Sequence, residues 1–597
     1  MKKYPLFTFC AINGLLWGAV SLVFFCINGF FTDGFGIAFT AVFIVGHMFL
    51  FAWALGLLCW PWRWVGGRTL PVVSIALTSF FTSLLATDLL VFSQYRFHVG
   101  LAMLELFLGP AGKEIFVFPA SMWVLAGAVG LLIIALETGL WIFSSRKALT
   151  KKGVGWILAV WGVCFVFYNG LYAWGKFMLV PSIMSQRKVL PLAYPLSANR
   201  RLEAWGLKAP QNPYFLPKKG TLSYSLAPLV CSPSEPQKNI LILLIDSWRA
   251  DSLEPQIMPV LSSWADRPGM SRFTNHISGG HGTDSGVFSL FYSLPQTYWE
   301  DVTALHLPPV LVSYALERGY IPAIFASSKL TSPTFNRNVF AAVPELRVGS
   351  KGNSSWERDE DAVKDFEQFL QERETDKPFF GFIFLDAPHG YSYPSEDEIF
   401  TPAKAPNYML LTNNTDPTPY VNQYKNAVHF ADRMVGRVLE ALEKKRILQD
   451  TVIILTGDHG QELNDSKHNF WGHNGNLTDY QTKVPLLVYR ADTSAATQKD
   501  YRTTHYDIVP TLLQDVFKCT NSSSDYSMGY NLFDDTPRIF SLLSGHTEKA
   551  LRVGDDIFVL DNFGGVSQYN SQYGAVSKPI APSVIKEGLQ SFRRFYK

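Results

Sequence analysis

Six side chains in the polar part of the sequence could carry chemistry: Asp246, Thr283, His389, Asp458, His459 and His473. Asp246 comes directly after the apolar run Ile240–Ile245. Asp458 and His459 follow Val452–Leu455 in the string Thr456-Gly457-Asp458-His459-Gly460, and His389 follows Phe379–Leu385. His473 sits in Trp471-Gly472-His473-Asn474, and Thr283 in the glycine-rich stretch Gly279-Gly280-His281-Gly282-Thr283-Asp284-Ser285-Gly286. A divalent cation needs oxygen or imidazole ligands converging from separate loops, and Asp246, Asp458 and His459 offer two carboxylates and an imidazole, with the Thr283 hydroxyl completing the set. A hydroxyl held that way loses its proton more readily and becomes a nucleophile at neutral pH. The glycine-rich turn presents it at a helix start, where backbone N–H groups favour an incoming phosphate. His389 and His473 would hold the phosphoryl oxygens or assist the leaving group. Singly, an Asp after a strand is commonly a helix cap and a lone His is commonly structural. The set as a whole, ordered along the chain at strand ends, points to phosphoester chemistry.

Those positions require strands to hold them. From Ile240 onward, short fully apolar runs alternate with amphipathic segments. Ile240–Ile245, Phe379–Leu385, Val452–Leu455 and Val484–Tyr489 read as buried strands, and Asp361–Arg373 and Gln423–Lys444 carry helical periodicity. The alternation predicts an α/β sandwich with a largely parallel central sheet, whose ligands gather at the carboxyl ends of the strands.

The first third is of another kind. Five runs are long enough to cross a bilayer, which takes about 20 apolar residues: Phe9–Phe31, Gly36–Cys59, Thr69–Phe92, Phe116–Phe143 and Val154–Leu179. The first is too long for a signal peptide and is followed directly by further spans, so it reads as a retained helix. Lys2 and Lys3, Arg63 and Arg68, and Arg146, Lys147, Lys151 and Lys152 lie on one side of the spans, which predicts a cytoplasmic N-terminus and an external, periplasmic C-terminal half. Asp88 and Glu137 fall within spans, where a carboxylate lines a lipid or proton site, snorkels, or bonds a neighbouring helix. The proline-broken stretch from Val180 to Lys238 reads as a linker at the membrane surface, whose Arg187, Lys188, Arg200 and Arg201 either meet lipid phosphates or are simply solvated. The expected division is therefore 1–180 transmembrane, 181–238 linker and 239–597 water-facing.

At 597 residues more than one folded unit is expected. A net charge of +2 with only short basic runs argues against nucleic acid as a partner. Of six cysteines only Cys231 and Cys519 lie in the polar half, where they form either one disulfide or two buried thiols.

Asn239–Asp246 continuing into Ser247-Trp248-Arg249-Ala250-Asp251, then Thr456–Gly460, Gly472-His473 and His505-Tyr506-Asp507-Ile508-Val509-Pro510-Thr511-Leu512, resemble in string and order the motifs of the sulfatase and alkaline-phosphatase superfamily. The resemblance implies a five-helix membrane bundle joined to an α/β alkaline-phosphatase/sulfatase-like domain. It also implies one divalent metal ion on Asp246, Thr283, Asp458 and His459, with Thr283 forming a phospho-enzyme. Sulfatases proper carry a Cys or Ser that is oxidised to formylglycine; Thr283 cannot become that aldehyde, which speaks against sulfate esters. The branch that looks nearest holds the lipoteichoic-acid synthases and phosphoethanolamine transferases. Asp246 stands where those enzymes usually have Glu, which leaves Mg, Mn or Zn open. Thr87–Phe92 with Arg96-Phe97-His98, Leu190–Pro195 with Arg200 and Arg201, and Thr283–Tyr292 further resemble enterobacterial inner-membrane proteins of this type. That likeness implies anionic lipids (phospholipid, cardiolipin, lipid A) as partners, Arg200 and Arg201 as lipid contacts, a regulatory membrane-protein partner, and an alternative role as a lipid-sensing regulator of lipopolysaccharide supply.

Overall fold

The computed structural model describes residues 3–28, 34–96, 98–100, 120–178, 180–207, 221–232, 237–408, 410–545, 548–561, 566–576 and 578–597. The chain divides into two compact units, one of Met1–Pro213 and one built from Tyr214–Asp561 and Ser567–Lys597.

Among the described residues of the first unit, five helices are long and apolar enough to span a membrane: α1 Pro5–Asn28, α2 Gly34–Cys59, α3 Thr69–Tyr95, α4 Ala120–Arg146 and α5 Lys151–Phe177. The expected ends at Phe31, Phe116 and Leu179 lie outside the described residues. With no water to satisfy them, polar groups in the bundle bond each other. Glu137 of α4 is fully buried and accepts from Thr82 Oγ1 of α3 at 3.0 Å, and Thr82 accepts from Trp17 Nε1 of α1 at 2.9 Å. Asp88 is turned inward rather than toward the lipid surface, binding His98 Nδ1 at 2.7 Å and the Val99 N–H at 2.7 Å. The first stretch after α5 is folded against the bundle. Val189 and Leu190 are buried, Thr40 Oγ1 donates to Gln186 Oε1 at 2.5 Å, and Gln186 Nε2 donates to the Gly36 carbonyl at 3.0 Å.

The second unit is organised by a seven-stranded sheet. Its strands are β1 Asn239–Ile245, β2 Met270–Phe273, β3 Ile321–Ala326, β4 Phe379–Leu385, β5 Thr451–Gly457, β6 Leu486–Tyr489 and β7 Thr497–Lys499. They lie in the order β7-β2-β6-β5-β1-β4-β3. β5, β1, β4 and β3 run parallel, whereas β6 is antiparallel to both of its neighbours. The expected largely parallel sheet is thus present. Every residue of β1 is buried because both sheet faces are covered: Ile240, Ile242 and Leu244 enter one apolar core and Leu241, Leu243 and Ile245 the other. Each such side chain contributes about 2 kcal/mol by leaving water.

The helices that matter to the site are α6 Thr283–Tyr292, α7 Ser355–Glu372 and α8 Thr418–Lys444. α7 starts six residues before the expected Asp361 because Ser354 and Glu357 form a capping box. A further four-stranded sheet, β8 Ser541–Ser544, β9 Glu548–Val553, β10 Asp556–Asp561 and β11 Val566–Asn570, has no counterpart in the expected elements. Cys231 and Cys519 are joined by a disulfide.

Candidate metal centre

Strand register builds the centre. Ile245, the last residue of β1, pairs with Gly457 of β5 on one side and Leu385 of β4 on the other. The next residue of each strand is an aspartate: Asp246, Asp458 and Asp386. With strands about 4.8 Å apart, three carboxylates emerge side by side at the sheet's carboxyl edge. Thr283 reaches them from the first position of α6, whose N-cap is Gly282.

Asp246, Asp458 and His459 place one ligand atom each within 4.8 Å of one another, all three buried. His459 Nε2 lies 3.6 Å from Asp246 Oδ1, 3.4 Å from Asp458 Oδ2 and 3.3 Å from Thr283 Oγ1, and Thr283 Oγ1 lies 3.4 Å from Asp246 Oδ2. His459 Nδ1 donates to the Gly460 carbonyl at 2.7 Å, which puts the ring's lone pair on Nε2, toward the carboxylates. Asp458 Oδ1 accepts the N–H groups of Ser247 and His459 at 3.0 and 2.8 Å, but Oδ2 is buried and receives no hydrogen bond among the described residues. Burial, and for Asp246 also the charge of Asp458, push both carboxyls well above the usual carboxylate range. A buried acceptor without a donor, among acceptors whose charges repel, is the environment that a cation relieves. The residues present therefore fit a divalent ion on two carboxylates, an imidazole and a hydroxyl, a donor set open to Mg, Mn or Zn.

Around this cluster the two further imidazoles close in. The His473 ring lies 4.3 Å from that of His459 and 5.2 Å from that of His389, centroid to centroid. Burial opposes a charge on His389, but Asp246 and Asp386 outweigh it and raise its pKa to about 10. Burial and the neighbouring imidazoles hold His473 neutral. His389 Nδ1 faces Asp386 Oδ1 at 3.4 Å, while Asp386 Oδ2 is held by Ser355 Oγ at 2.8 Å and Arg358 Nη2 at 3.0 Å. Asp359 accepts the N–H groups of Asp386 and Ala387 at 2.7 and 2.9 Å, so the first turn of α7 shapes the loop that carries His389. Asp246, Asp386 and His389 also lie close enough to hold an ion. The donors already on Asp386 make it an orienting partner for His389.

Of the expected site residues, Asp246, Thr283, Asp458, His459, His389 and His473 are together. Arg201 is exposed on a short helix, Asn199–Ala204, of the other unit, and the Arg200 side chain lies outside what the structure describes. Sequence reasoning missed Asp386, although its place after an apolar strand is the same signal that picked out Asp246 and Asp458. It also missed Asp359 and Gln461, for which no local pattern exists.

Residues 238–515 match the sulfatase family, and residues 6–231 match a domain of unknown function, DUF3413. The chain is 24% identical over 571 residues to the inner membrane protein YejM of Salmonella typhimurium, covering 92% of this chain and 90% of the relative. It is 26% identical over 508 residues to an uncharacterized protein of Haemophilus influenzae, covering 83% and 78%. Among solved structures, the integral membrane lipooligosaccharide phosphoethanolamine transferase A of Neisseria meningitidis matches 89% of this chain and 97% of its own length with a TM-score of 0.54 at 16% identity. Fold and sequence together make this chain a membrane protein of the alkaline-phosphatase/sulfatase superfamily. Within that class it is a homologue, across both of its units, of the YejM inner membrane proteins.

Proposed function

We propose that this protein is a metal-dependent phosphoester hydrolase or transferase that acts on lipid head groups through Thr283. The observation that carries the reading is the convergence of Asp246, Asp458, His459 and Thr283 from three separate stretches of chain, with a buried oxygen of Asp458 that has no donor within hydrogen-bonding geometry among the described residues. Those four residues would hold a divalent ion, which would supply positive charge favouring the ionised hydroxyl and the charge developing on phosphorus. Thr283 Oγ1 attacks phosphorus in line, the bond to the leaving oxygen breaks, and the phosphoryl group stays on Thr283 until water or an acceptor hydroxyl takes it. His389, oriented by Asp386, donates to the phosphoryl oxygens, and His473 serves the proton of the leaving or entering oxygen.

Lipid as the substrate class is supported by the five spans and by the name of the transferase that shares the fold. The basic residues between spans support a cytoplasmic N-terminus in the inner membrane and a periplasmic catalytic unit. The Cys231–Cys519 disulfide suits that oxidising side. The test is metal content and phosphodiesterase turnover of the purified chain. Native protein is expected to hold one divalent ion that Asp458→Ala loses. Turnover and a phosphorylated Thr283 are expected to vanish in Thr283→Ala, and an inert native protein overturns the reading.

A second reading, a sensor of anionic lipid such as cardiolipin or lipid A that acts on a regulatory membrane partner, is supported by the basic stretch after α5. There Arg187 lies over the Tyr194 ring at 5.1 Å and Arg201 is exposed. A cell phenotype untouched by Thr283→Ala but lost in Arg200→Ala with Arg201→Ala favours it.

A further inference from the structure

The two imidazoles beside the centre are held by different kinds of partner. His389 faces a carboxylate, whereas His473 Nδ1 lies 3.0 Å from the side-chain oxygen of Gln461. Gln461 is almost fully buried, and both ends of its amide are used: Oε1 toward His473, and Nε2 donating to the Tyr391 hydroxyl at 2.7 Å. Tyr391 stands two residues beyond His389, and its carbonyl accepts from Gln423 Nε2 of α8 at 3.0 Å. The Gln461 carbonyl is fixed as well, accepting Arg249 Nη1 at 2.7 Å, and Arg249 binds Asp465 at 2.8 and 3.0 Å. The amide is therefore held at both its backbone and its side chain. A carbonyl oxygen can only accept, so a ring nitrogen facing it carries the proton and the other nitrogen carries the lone pair.

We propose that Gln461 is a positioning residue that fixes the His473 tautomer, leaving Nε2 as the proton acceptor for the hydroxyl that discharges phospho-Thr283. The proposal rests on the phosphoester reading and deepens it. Asp386 makes His389 the donor of the pair and Gln461 makes His473 the acceptor. In the discharge step the entering O–H gives its proton to His473 Nε2 and its oxygen bonds phosphorus. The bond from phosphorus to Thr283 Oγ1 breaks, that oxygen is left as the ionised hydroxyl from which the next attack starts, and His473 passes its proton to water. Nothing in this step requires an oxidant or a further reactant.

The test uses the full chain in detergent, loaded with manganese, and bis(p-nitrophenyl) phosphate as probe. Attack by Thr283 expels one p-nitrophenolate, which needs no acid, so loading is independent of His473, and water then releases p-nitrophenyl phosphate. Gln461→Met is expected to keep its metal and a burst of one p-nitrophenolate per chain, to accumulate the Thr283 adduct by mass, and to lose about a hundredfold in steady turnover. Gln461→Glu, whose carboxylate can still accept from Nδ1, is expected to stay within about fivefold of the wild type. The proposal is overturned if Gln461→Met turns over normally, if it loses burst and turnover equally, or if Gln461→Glu is as impaired as Gln461→Met, which would mean the amide donates. Should Gln461→Met lose its metal, the Gln461→Glu result alone decides in the same sense. A wild-type chain with no burst overturns the enzymatic reading itself, and the proposal with it.

Discussion

At Gly286 the first turn of α6 meets the metal motif so closely that a Cβ there would stand 2.2 Å from the Asp458 carbonyl oxygen. That oxygen is backbone at a strand end and cannot swing aside. Gly286→Ala is expected to push α6, and Thr283 with it, away from the cluster, costing about 2 kcal/mol of stability together with bound metal; thermal melting and metal analysis on one preparation check both. The hydroxyl can be separated from the side chain's shape. Thr283→Ser keeps the group that attacks and is expected to retain turnover, whereas the near-isosteric Thr283→Val abolishes it while leaving the fold intact by circular dichroism. A Thr283→Val chain that still turns over would remove threonine from the chemistry.

Among elements, α7 controls His389 although it contributes no atom to the ion cluster. Its Asp359 is fully buried and fills two backbone N–H groups of the loop, and its Arg358 and Ser355 hold Asp386. Asp359→Ala strands both donors and is expected to cost about 2 kcal/mol and to lower turnover, with metal content unchanged because the loop of β4 is affected and those of β1 and β5 are not. On the opposite side, Arg249 joins the exit of β1 to the segment that carries Gln461 and His473. Arg249→Met is expected to destabilise the unit by about 2 kcal/mol, a figure kept low because Asp251 is largely exposed and Asp465 partly so. Chemical denaturation measures it, and a change below a few tenths of a kcal/mol would mean the ion pairs merely decorate the loop.

For the molecule as a whole, the two compact units predict that the second folds without the first. A chain from residue 221 onward, exported to an oxidising compartment, is expected to be monodisperse, to melt in one cooperative step and to bind the metal. Its disulfide links residues 288 apart in sequence, so reduction is expected to cost about 2–5 kcal/mol in that unit, read as a lower melting temperature. The membrane unit makes a separate statement about orientation. An export-dependent reporter fused just after α5 is expected to be active and one fused between α2 and α3 inactive, and the reverse pattern would place the site in the cytoplasm.

What the sequence by itself determined follows from local composition. Apolar runs of about 20 residues are long enough to cross a bilayer as helices, and the runs that became β1, β4 and β5 announced buried strands whose next residues would stand at a ligand edge. Asp246, Asp458, His459 and His389 were legible for that reason, whereas Thr283 was picked from a glycine-rich turn and His473 from the string Trp471-Gly472-His473-Asn474. Register, the capping of His389 by α7, the amide on His473 and the second sheet were decided by tertiary structure alone. Each depends on which distant stretches come to lie side by side. Of that second sheet, Ser541–Ser544 is four residues long and buried throughout and Val566–Asn570 is only partly buried, so neither carries an alternation that would announce it. Six candidates could be picked from the chain one at a time. That three aspartates end adjacent strands at one level is a property of the sheet, because pairing sets the level and no residue encodes its partner.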